Sequence, residues 1–349
     1  MATRKLRVGM IGSGGIARTA HLPGWKDIPD VEVVAIADTN EELVRNTATA
    51  QKIPQWYTDY RELLRQKDVD VVDICTPNLL HTQMVVDAFA AGKDVLCEKP
   101  LAVTPAEILQ MIEARDKAGR MLMVAQNNRY RGISIAMKRW VDQGNLGQVY
   151  YARAWAIRRN LLPVAPGFIS RTLSGGGPCM DIGVHALDLA MWLMGFPDPV
   201  TVSGSASTQL AKTNIIPGAW GEWNREMFDV EDFACGIVRF SNGAMLSLES
   251  SWLAHTMQSE DMSCMVLGTR AGISWPAGTI STTQNGTLID AVIKPVPIRE
   301  STHMTEIWDF YNALVNKMPS PVPAEQSLKV IKILDGVYRS QNLGREVEV

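Results

Sequence analysis

Two segments of the chain carry ionisable residues in settings that suit proton transfer. Asp181 and His185 lie four positions apart in GGGPCMDIGVHALD, so they share a face if a helix has begun there, and Asp188 lies near that face. Lys99 follows an apolar run in CEKP, where it would stand at the mouth of a crevice. Such side chains can take a proton from a hydroxyl and return it. The alternatives are a packed histidine tied to a capping aspartate, and a solvated lysine.

A glycine-rich segment, GSGGIA, follows the first apolar run and opens a helical pattern. It fits GxGxxG/A, whose glycines let the backbone approach a pyrophosphate at a helix N-terminus. Asp38 follows 21 residues after Ala17, at the end of the second apolar run, where a carboxylate can bind ribose hydroxyls. The alternative is a tight turn without a ligand. The residues predicted to contact a dinucleotide here are Gly12, Ser13, Gly14, Gly15, Ile16 and Asp38.

The same carboxylate favours NAD over NADP. Asp38 can accept hydrogen bonds from a free 2′-hydroxyl and would repel a 2′-phosphate. Thr39 and Asn40 offer no arginine to hold that phosphate, and Arg45 is the one nearby base that could alter this preference.

Two further turns follow apolar runs that predict strands of the same sheet. In an open parallel sheet, the carboxyl ends of the strands form the ligand crevice. TPNLLH is also typical of a turn with a helix cap at Asn78. The Lys99–Pro100 peptide is predicted to be cis or otherwise tightly constrained, because an X–Pro bond costs only about 0.5–1 kcal/mol to hold cis. The cofactor contacts predicted at these turns are Thr76, Pro77, Asn78, His81, Glu98 and Lys99.

The elements that must position these residues form two domains. Short runs rich in valine and isoleucine alternate with helical patterns over residues 1–125, which predicts an α/β Rossmann domain with a parallel sheet. Residues 126–349 carry longer strand-like runs with short polar turns, such as SNG at 241–243, and an irregular stretch at 209–229. They predict an α+β second domain with an antiparallel or mixed sheet. The last helix is a candidate to pack back on the first domain.

Candidate substrate contacts are spread through the second domain and its approach. Arg158 and Arg159 are neighbours on a predicted strand, so they face opposite sides, and one of them could meet a substrate hydroxyl or anionic group. Salt bridges on a solvated sheet face are the alternative. Tryptophans near the pocket would suit the apolar face of a substrate ring. The full set is Asn127, Arg129, Trp155, Arg158, Arg159, Phe168, Arg171, Asp181 and His185.

Composition narrows the class of partner. The 349 residues are 46% hydrophobic and 20% charged, which is typical of globular domains. A net charge of −3 gives no reason to expect a nucleic-acid or membrane partner. The start lacks the apolar core of a signal peptide and no stretch suits a membrane span, so we expect a cytoplasmic protein. No metal site or disulfide framework is expected, because five cysteines stand far apart: Cys75, Cys97, Cys179, Cys235 and Cys264.

GSGGIA, CEKP and GGGPCMDIGVHALD, in this order and spacing, resemble the Gfo/Idh/MocA family of oxidoreductases, as does the later FDVEDFACGIVRFSNGAMLSLESSW. The resemblance covers essentially the whole chain. It implies a Rossmann domain and an α/β domain whose open sheet often forms the oligomer interface, here of a homodimer or homotetramer. It also implies that Lys99, Asp181 and His185 catalyse NAD-dependent oxidation of a secondary hydroxyl on a sugar, sugar derivative or cyclitol.

The mechanism expected from this resemblance divides the work among three residues. His185 takes the hydroxyl proton, Lys99 hydrogen-bonds the same oxygen, and Asp181 orients the acid/base groups while holding a neighbouring hydroxyl. A redox-assisted glycosidase on the same scaffold, which would turn over without net NADH, is one alternative. A binding protein that senses NAD or a sugar is another, although a sensor has no need of these three residues.

Overall fold

The computed structural model describes residues 4–349, which form two compact units. The first unit runs to Ala102 and adds Ala106–Tyr130 and Ile298–Ser327. The second unit comprises Val103–Pro105, Arg131–Pro297 and Leu328–Val349.

The first unit is built on a six-stranded sheet in the order β3-β2-β1-β4-β5-β6. All of its strand pairs are parallel. This is the Rossmann order, in which β1 and β4 are neighbours and the chain changes direction between them. The strands are β1 (Leu6–Ile11), β2 (Val31–Ala37), β3 (Gln55–Tyr57), β4 (Val71–Ile74), β5 (Asp94–Glu98) and β6 (Leu122–Ala125).

The strands of this sheet are covered on both faces, as their composition predicts. In β2 every residue except Glu32 is buried, and all four residues of β4 are buried. One of those four is an aspartate, Asp73, which is unusual in so apolar a strand and is explained by its hydrogen-bond donors below.

Helices accompany both sheets. The predicted helix near Ile16 is interrupted, because Ala17–His21 forms a π-helical turn before the first α-helix. In chain order the α-helices are α1 (Leu22–Lys26), α2 (Glu41–Gln51), α3 (Tyr60–Leu64), α4 (His81–Ala90), α5 (Pro105–Ala118), α6 (Gly132–Asp142), α7 (Pro166–Ile169), α8 (Arg171–Ser174), α9 (Val184–Met194), α10 (Thr302–Val315) and α11 (Ala324–Leu343).

The second unit contains a nine-stranded sheet in the order β14-β13-β12-β11-β7-β10-β9-β8-β15. Strands β7 and β10 pair in parallel and the other pairs are antiparallel. The strands are β7 (Val149–Arg158), β8 (Pro199–Ser207), β9 (Phe233–Phe240), β10 (Met245–Ser251), β11 (Glu260–Gly268), β12 (Ala271–Trp275), β13 (Thr279–Gln284), β14 (Thr287–Val292) and β15 (Val347–Glu348). This sheet and the parallel sheet of the first unit confirm the predicted fold class.

One face of the second sheet is packed and the other is open. In β7 the small residues Ala152, Ala154 and Ala156 are fully buried, and α9 packs against this strand. The intervening side chains lie on the opposite face, where Arg153 pairs with Glu249 at 3.0 Å. The alternation is that of an antiparallel sheet with one solvated face.

The predicted hairpin at residues 241–243 is confirmed, with Gly243 at φ +84° between β9 and β10. Strands β3, β12, β13, β14 and β15 were not predicted. Within residues 4–349, no helix is both long enough and apolar enough to cross a bilayer.

Candidate functional site

The glycine-rich turn follows β1 and is shaped for a close approach. Gly12 has φ +98°, and a Cβ there would lie 2.3 Å from the carbonyl oxygen of Cys75, so only glycine fits. A Cβ at Gly14 or Gly15 would meet no atom within 4 Å. The backbone at these two glycines is thus open to a bulky group, as a pyrophosphate requires.

Asp38 lies beside this turn at the end of β2. Its Oδ2 accepts hydrogen bonds from the backbone N–H and the hydroxyl of Ser13, both at 2.8 Å, and its Oδ1 accepts from the N–H of Asn40 at 2.9 Å. The carboxylate is therefore fixed against the glycine-rich turn, and its remaining lone pairs can accept ribose hydroxyls. Ser13 itself is fully buried, so the structure gives it the role of anchoring Asp38.

The turns after β4 and β5 are joined through His81. Its Nδ1 lies 3.0 Å from the carbonyl oxygen of Pro100, and its Nε2 lies 2.9 Å from that of Thr76. The ring is fully buried, and burial lowers the pKa of His81. Both ring nitrogens are thus directed at the backbone of the protein. Asn78 begins a short 3-10 helix next to this turn, just after Pro77.

Lys99 follows β5 in a turn with a cis peptide bond to Pro100, as predicted. The backbone N–H of Lys99 donates to Oε2 of Glu98 at 2.9 Å. From residue 95 to 102 every residue except Lys99 is buried. The segment therefore presents one accessible side chain, and that side chain is the predicted acid/base lysine.

Sequence reasoning missed a buried ionic cluster behind this turn. His21 is fully buried, with Nδ1 2.8 Å from Oδ2 of Asp73 and Nε2 2.8 Å from Oε1 of Glu98. The indole N–H of Trp25 donates to the same oxygen of Asp73 at 2.7 Å. The polar residue within the apolar run VVDIC was the one sequence signal for this cluster.

Further titratable groups from α10 face the cluster. The ring of His303 lies 5.9 Å from that of His21, centroid to centroid. Glu306 is fully buried, and within residues 4–349 neither of its carboxyl oxygens has a hydrogen-bond partner. Burial, and next the charge of Glu98, raise the pKa of Glu306 well above its usual value. The surroundings of Glu306 therefore favour the protonated form of its carboxyl group.

In the second unit, the GGGP turn is packed closely against its surroundings. A Cβ at Gly177 would lie 2.1 Å from the carbonyl oxygen of Glu231, and one at Gly176 would lie 2.2 Å from the hydroxyl of Tyr338. The Glu231 carboxylate accepts the N–H groups of Gly177 and Cys179 and the hydroxyl of Tyr338, at 2.8–3.1 Å. These glycines therefore serve close packing.

Asp181 and His185 follow this turn on consecutive helical turns. Cys179–Gly183 forms a π-helical turn that continues directly into α9. Between Cys179 and Met191 every residue is buried except Asp181 and His185. Two ionisable side chains thus emerge side by side from an otherwise buried helix, which is the arrangement that their spacing predicts.

The carboxylate of Asp181 is held from the sheet. Its Oδ2 accepts the indole N–H of Trp252 at 3.0 Å and lies 3.9 Å from the guanidinium of Arg158. Arg158 in turn pairs with Glu260 at 2.5 Å. Of the two neighbouring arginines, Arg158 is therefore the one beside Asp181. Arg159 lies on the other side of the strand and lines a cavity of about 370 Å³ with His255 and other residues.

The remaining candidate substrate residues have contacts within their own units. Trp155 lies on the open face of β7, with the guanidinium of Arg153 4.6 Å from its ring centroid. Phe168 is exposed on α7, and the guanidinium of Arg171 lies 5.7 Å from the ring centroid of Tyr338. In the first unit, Asn127 is 3.5 Å from Thr302, and Arg129 is buried with Gln326 at 2.6 Å.

Comparison with known proteins matches both units. The model of an oxidoreductase family with an NAD-binding Rossmann fold matches residues 6–126, and the model of the GFO/IDH/MocA C-terminal domain matches residues 135–274. A D-glucoside 3-dehydrogenase of Escherichia coli is 31% identical over 349 residues, covering 100% of this chain and 99% of that protein. A myo-inositol 2-dehydrogenase of Thermotoga maritima is 28% identical, covering 70% and 68%.

Solved structures share the fold. A levoglucosan dehydrogenase in complex with NADH and L-sorbose superposes with a TM-score of 0.85 at 24% identity, covering 99% of each chain. An aldose-aldose oxidoreductase from Caulobacter crescentus complexed with glycerol gives a TM-score of 0.81 at 24% identity, covering 99% of this chain and 100% of the other.

Proposed function

The chain belongs to the Gfo/Idh/MocA oxidoreductase family, and on that premise we propose that it oxidises a secondary hydroxyl of a sugar, sugar derivative or cyclitol with NAD. One observation carries the proposal beyond family membership. Lys99, Asp181 and His185 each emerge as accessible ionisable side chains from segments that are otherwise buried. Burial of their neighbours fixes the backbone beneath them, which suits groups that must be held in place for proton transfer.

The residues of the first unit suit NAD. The open backbone at Gly14 and Gly15 leaves room for the pyrophosphate, and the fixed carboxylate of Asp38 suits the ribose hydroxyls. When bound, NAD supplies the acceptor for the hydride. The turns after β4 and β5 are proposed to line the rest of the cofactor, the first of them through Thr76 and Pro77. His81 contacts a backbone carbonyl oxygen of each turn and so holds the two turns together. The list of proposed contacts is completed by Gly12, Ser13, Ile16, Asn78, Glu98 and Lys99.

The proposal gives each accessible residue one task. His185 accepts the proton of the substrate hydroxyl, and the Lys99 ammonium donates a hydrogen bond to the same oxygen. Asp181 orients these groups and accepts a hydrogen bond from a neighbouring hydroxyl. Its bond to Trp252 and its proximity to Arg158 support this role, because they hold the carboxylate in one position.

The substrate class follows from the named relatives. One relative that this chain matches over its full length is a D-glucoside 3-dehydrogenase, so D-glucosides are the first class to test. Two other relatives, matched over about 70% of this chain, are named as a levoglucosan dehydrogenase and a myo-inositol 2-dehydrogenase. Levoglucosan and myo-inositol are therefore the next substrates to test.

The test is a screen of D-glucosides, levoglucosan and cyclitols with NAD, followed by NADH absorbance. The proposal expects NADH with at least one member of the panel. On that substrate, Lys99→Met and His185→Ala should each lower kcat by about 10²–10⁴-fold. Lys294→Met, which changes an exposed lysine outside the proposed site, is the matched control and should retain wild-type turnover.

Two outcomes would contradict the proposal. Near-normal turnover by Lys99→Met would remove that residue from the catalytic centre. Cleavage of a glycoside without net NADH would replace the proposal with the redox-assisted glycosidase. The double variant should lose less than the product of the two single losses, because both residues act on one proton transfer.

We also propose that the protein is cytoplasmic and assembles as a homodimer or homotetramer through the open face of its second sheet. Ile237 on that face is 51% exposed, an apolar residue that a partner would cover. The net charge of −3 supports a small-molecule substrate as the ligand in place of nucleic acid or membrane.

A further inference from the structure

The buried cluster around His21 consists of a histidine placed between two carboxylates. Asp73 lies on β4 and Glu98 ends the neighbouring β5, while His21 comes from the helical turn that follows the glycine-rich loop. Both ring nitrogens of His21 lie 2.8 Å from a carboxylate oxygen. His21 and Asp73 are fully buried, so water does not compete for these bonds.

This geometry requires a doubly protonated ring. Each ring nitrogen faces an oxygen that accepts, and a neutral imidazole can donate through only one of them. Burial alone would lower the pKa of His21, but the charges of Asp73 and Cys75 and the hydrogen bonds to them together outweigh it and raise this pKa well above the usual value. The ring is thus an imidazolium between two carboxyl groups.

Glu98 links the cluster to the proposed acid/base lysine. One carboxylate oxygen receives the ring N–H of His21, and the other receives the backbone N–H of Lys99 at 2.9 Å. The carboxylate is therefore fixed at both ends, and the peptide that carries Lys99 is fixed through it. Burial would raise the pKa of Glu98, but the hydrogen bond and charge of His21 outweigh it and lower this pKa to about 2.

A bound metal does not account for the cluster. Side chains of His21, Asp73 and Cys75 lie within 4.8 Å of one another, close enough to suggest a cation site. However, Nδ1 of His21 and Oδ2 of Asp73 lie at a hydrogen-bond distance of 2.8 Å, and the same oxygen accepts the indole N–H of Trp25 at 2.7 Å, so hydrogen bonds account for both atoms. The second ring nitrogen is already bonded to Glu98.

We infer that His21 is a positioning residue for Lys99, acting through Glu98: the buried imidazolium holds the Glu98 carboxylate in place and ionised, and that carboxylate holds the Lys99 backbone. The inference rests on the proposed function only in calling Lys99 an acid/base group. Other groups that face Glu98, and that any pH dependence must include, are Asp73, Cys75, His81, Cys97, Lys99, His303 and Glu306.

The test compares His21→Gln with Asp73→Asn. Both variants disturb the same buried cluster, but only His21→Gln takes the cation and the ring hydrogen bond away from Glu98. The measured quantity is kcat of each variant divided by kcat of the wild type, from pH 8 to pH 5.5. This ratio cancels the titration of groups that both proteins share.

For His21→Gln, the buried Glu98 should become protonated within this range, so the ratio should fall about threefold or more as pH is lowered. For Asp73→Asn, which keeps the bond between His21 and Glu98, the ratio should not fall toward acid. The double variant His21→Gln/Glu98→Gln should also give a flat ratio, because no carboxyl remains to titrate. A merely structural role for His21 predicts flat ratios in all three variants and would overturn the inference.

A second measurement does not depend on activity. Nitrogen-15 NMR of the histidine rings should show one ring, absent in His21→Gln, that carries protons on both nitrogens at pH 8 without substrate or cofactor. In Asp73→Asn, which lacks the charge that raises the pKa of His21, the same ring should lose its second proton at a lower pH than in the wild type. A singly protonated ring in the wild type would overturn the inference even if the protein is a dehydrogenase. If the ring is doubly protonated but the protein oxidises no substrate, the description of the cluster is correct and the proposed function is wrong.

If His21→Gln does not fold, Glu98→Gln tests the same link. The amide keeps the size of the side chain but removes the charge, so it should hold the Lys99 backbone less firmly. We expect kcat to fall about tenfold or more while KM for the sugar changes little. Unchanged kcat in Glu98→Gln would show that the carboxylate does not position Lys99.

Discussion

Glu306→Gln should make the stability of the protein less dependent on pH. In the folded protein the Glu306 carboxyl is buried without a hydrogen-bond partner in residues 4–349, and burial raises its pKa well above the usual value. In the unfolded chain the same group has a pKa of about 4.3. Between these two values the folded state holds one proton that the unfolded state has released.

The sign and size of the effect follow from that proton. Because the unfolded state binds fewer protons, the free energy of unfolding falls as pH rises, by about 1.4 kcal/mol per pH unit for one group. The loss begins above the unfolded pKa and ends at the raised folded pKa. Glutamine cannot ionise in either state, so the variant lacks this slope. Between pH 6 and pH 8 the variant should therefore gain stability relative to the wild type, by up to about 1.4 kcal/mol per pH unit for as long as the pH stays below the folded pKa of Glu306.

The assay is urea denaturation at pH 6, 7 and 8, followed by tryptophan fluorescence. At each pH, the free energy of unfolding of the wild type is subtracted from that of the variant. This difference removes the contributions of other titrating groups, including His21. Glu300→Gln is the matched control, since Glu300 is exposed, and its stability should stay parallel to that of the wild type. Parallel curves for Glu306→Gln and the wild type would refute the reasoning, because they would mean that Glu306 is ionised in the folded protein.

Three further outcomes are expected. Asp38→Ser removes the carboxylate that would repel a 2′-phosphate, so the ratio of kcat/KM for NAD to that for NADP should fall about tenfold or more; an unchanged ratio would remove Asp38 from cofactor choice. Trp252→Phe removes the hydrogen bond to Asp181, and kcat should fall about tenfold while NAD affinity, read by fluorescence, stays constant. Ile237→Lys places a charge on the open sheet face, so light scattering should show a smaller assembly than for the wild type; the same mass for both proteins would place the interface elsewhere.

The turns that we propose to carry the chemistry could be recognised in the sequence because their signals are local. Gly12 has φ +98° and lies against the carbonyl oxygen of Cys75, so no other residue type fits there. The tight turn is therefore visible in the sequence as a glycine. An apolar parallel strand followed by a polar residue places that residue at the crevice, and both Asp38 and Lys99 were predicted in this way. The spacing of Asp181 and His185 determines a shared face as soon as the helix is recognised.

The strands that were missed lack such a signal. β13 and β14 have the sequences TISTTQ and TLIDAV, and most of their residues are exposed or only partly buried. Without a buried face there is no strict alternation of apolar and polar residues. Their pairing is decided by the neighbouring strands of the sheet, with Thr279 opposite Val292 and Gln284 opposite Thr287, which a local pattern does not contain.

The buried cluster shows a different reason why a site escapes sequence reasoning. His21 and Asp73 are 52 positions apart, and His21 and Glu98 are 77 positions apart, so no motif joins them. A single residue nevertheless indicated the cluster. An ionised carboxylate in the middle of a buried parallel strand costs too much free energy to remain without donors, so Asp73 required them in the fold. The strand order then limits where the donors can come from. Strand β1 lies beside β4, and the helical segment after β1 supplies both His21 and Trp25. Asp73 thus indicated that donors must exist, while only the fold could show that they form a path to Lys99.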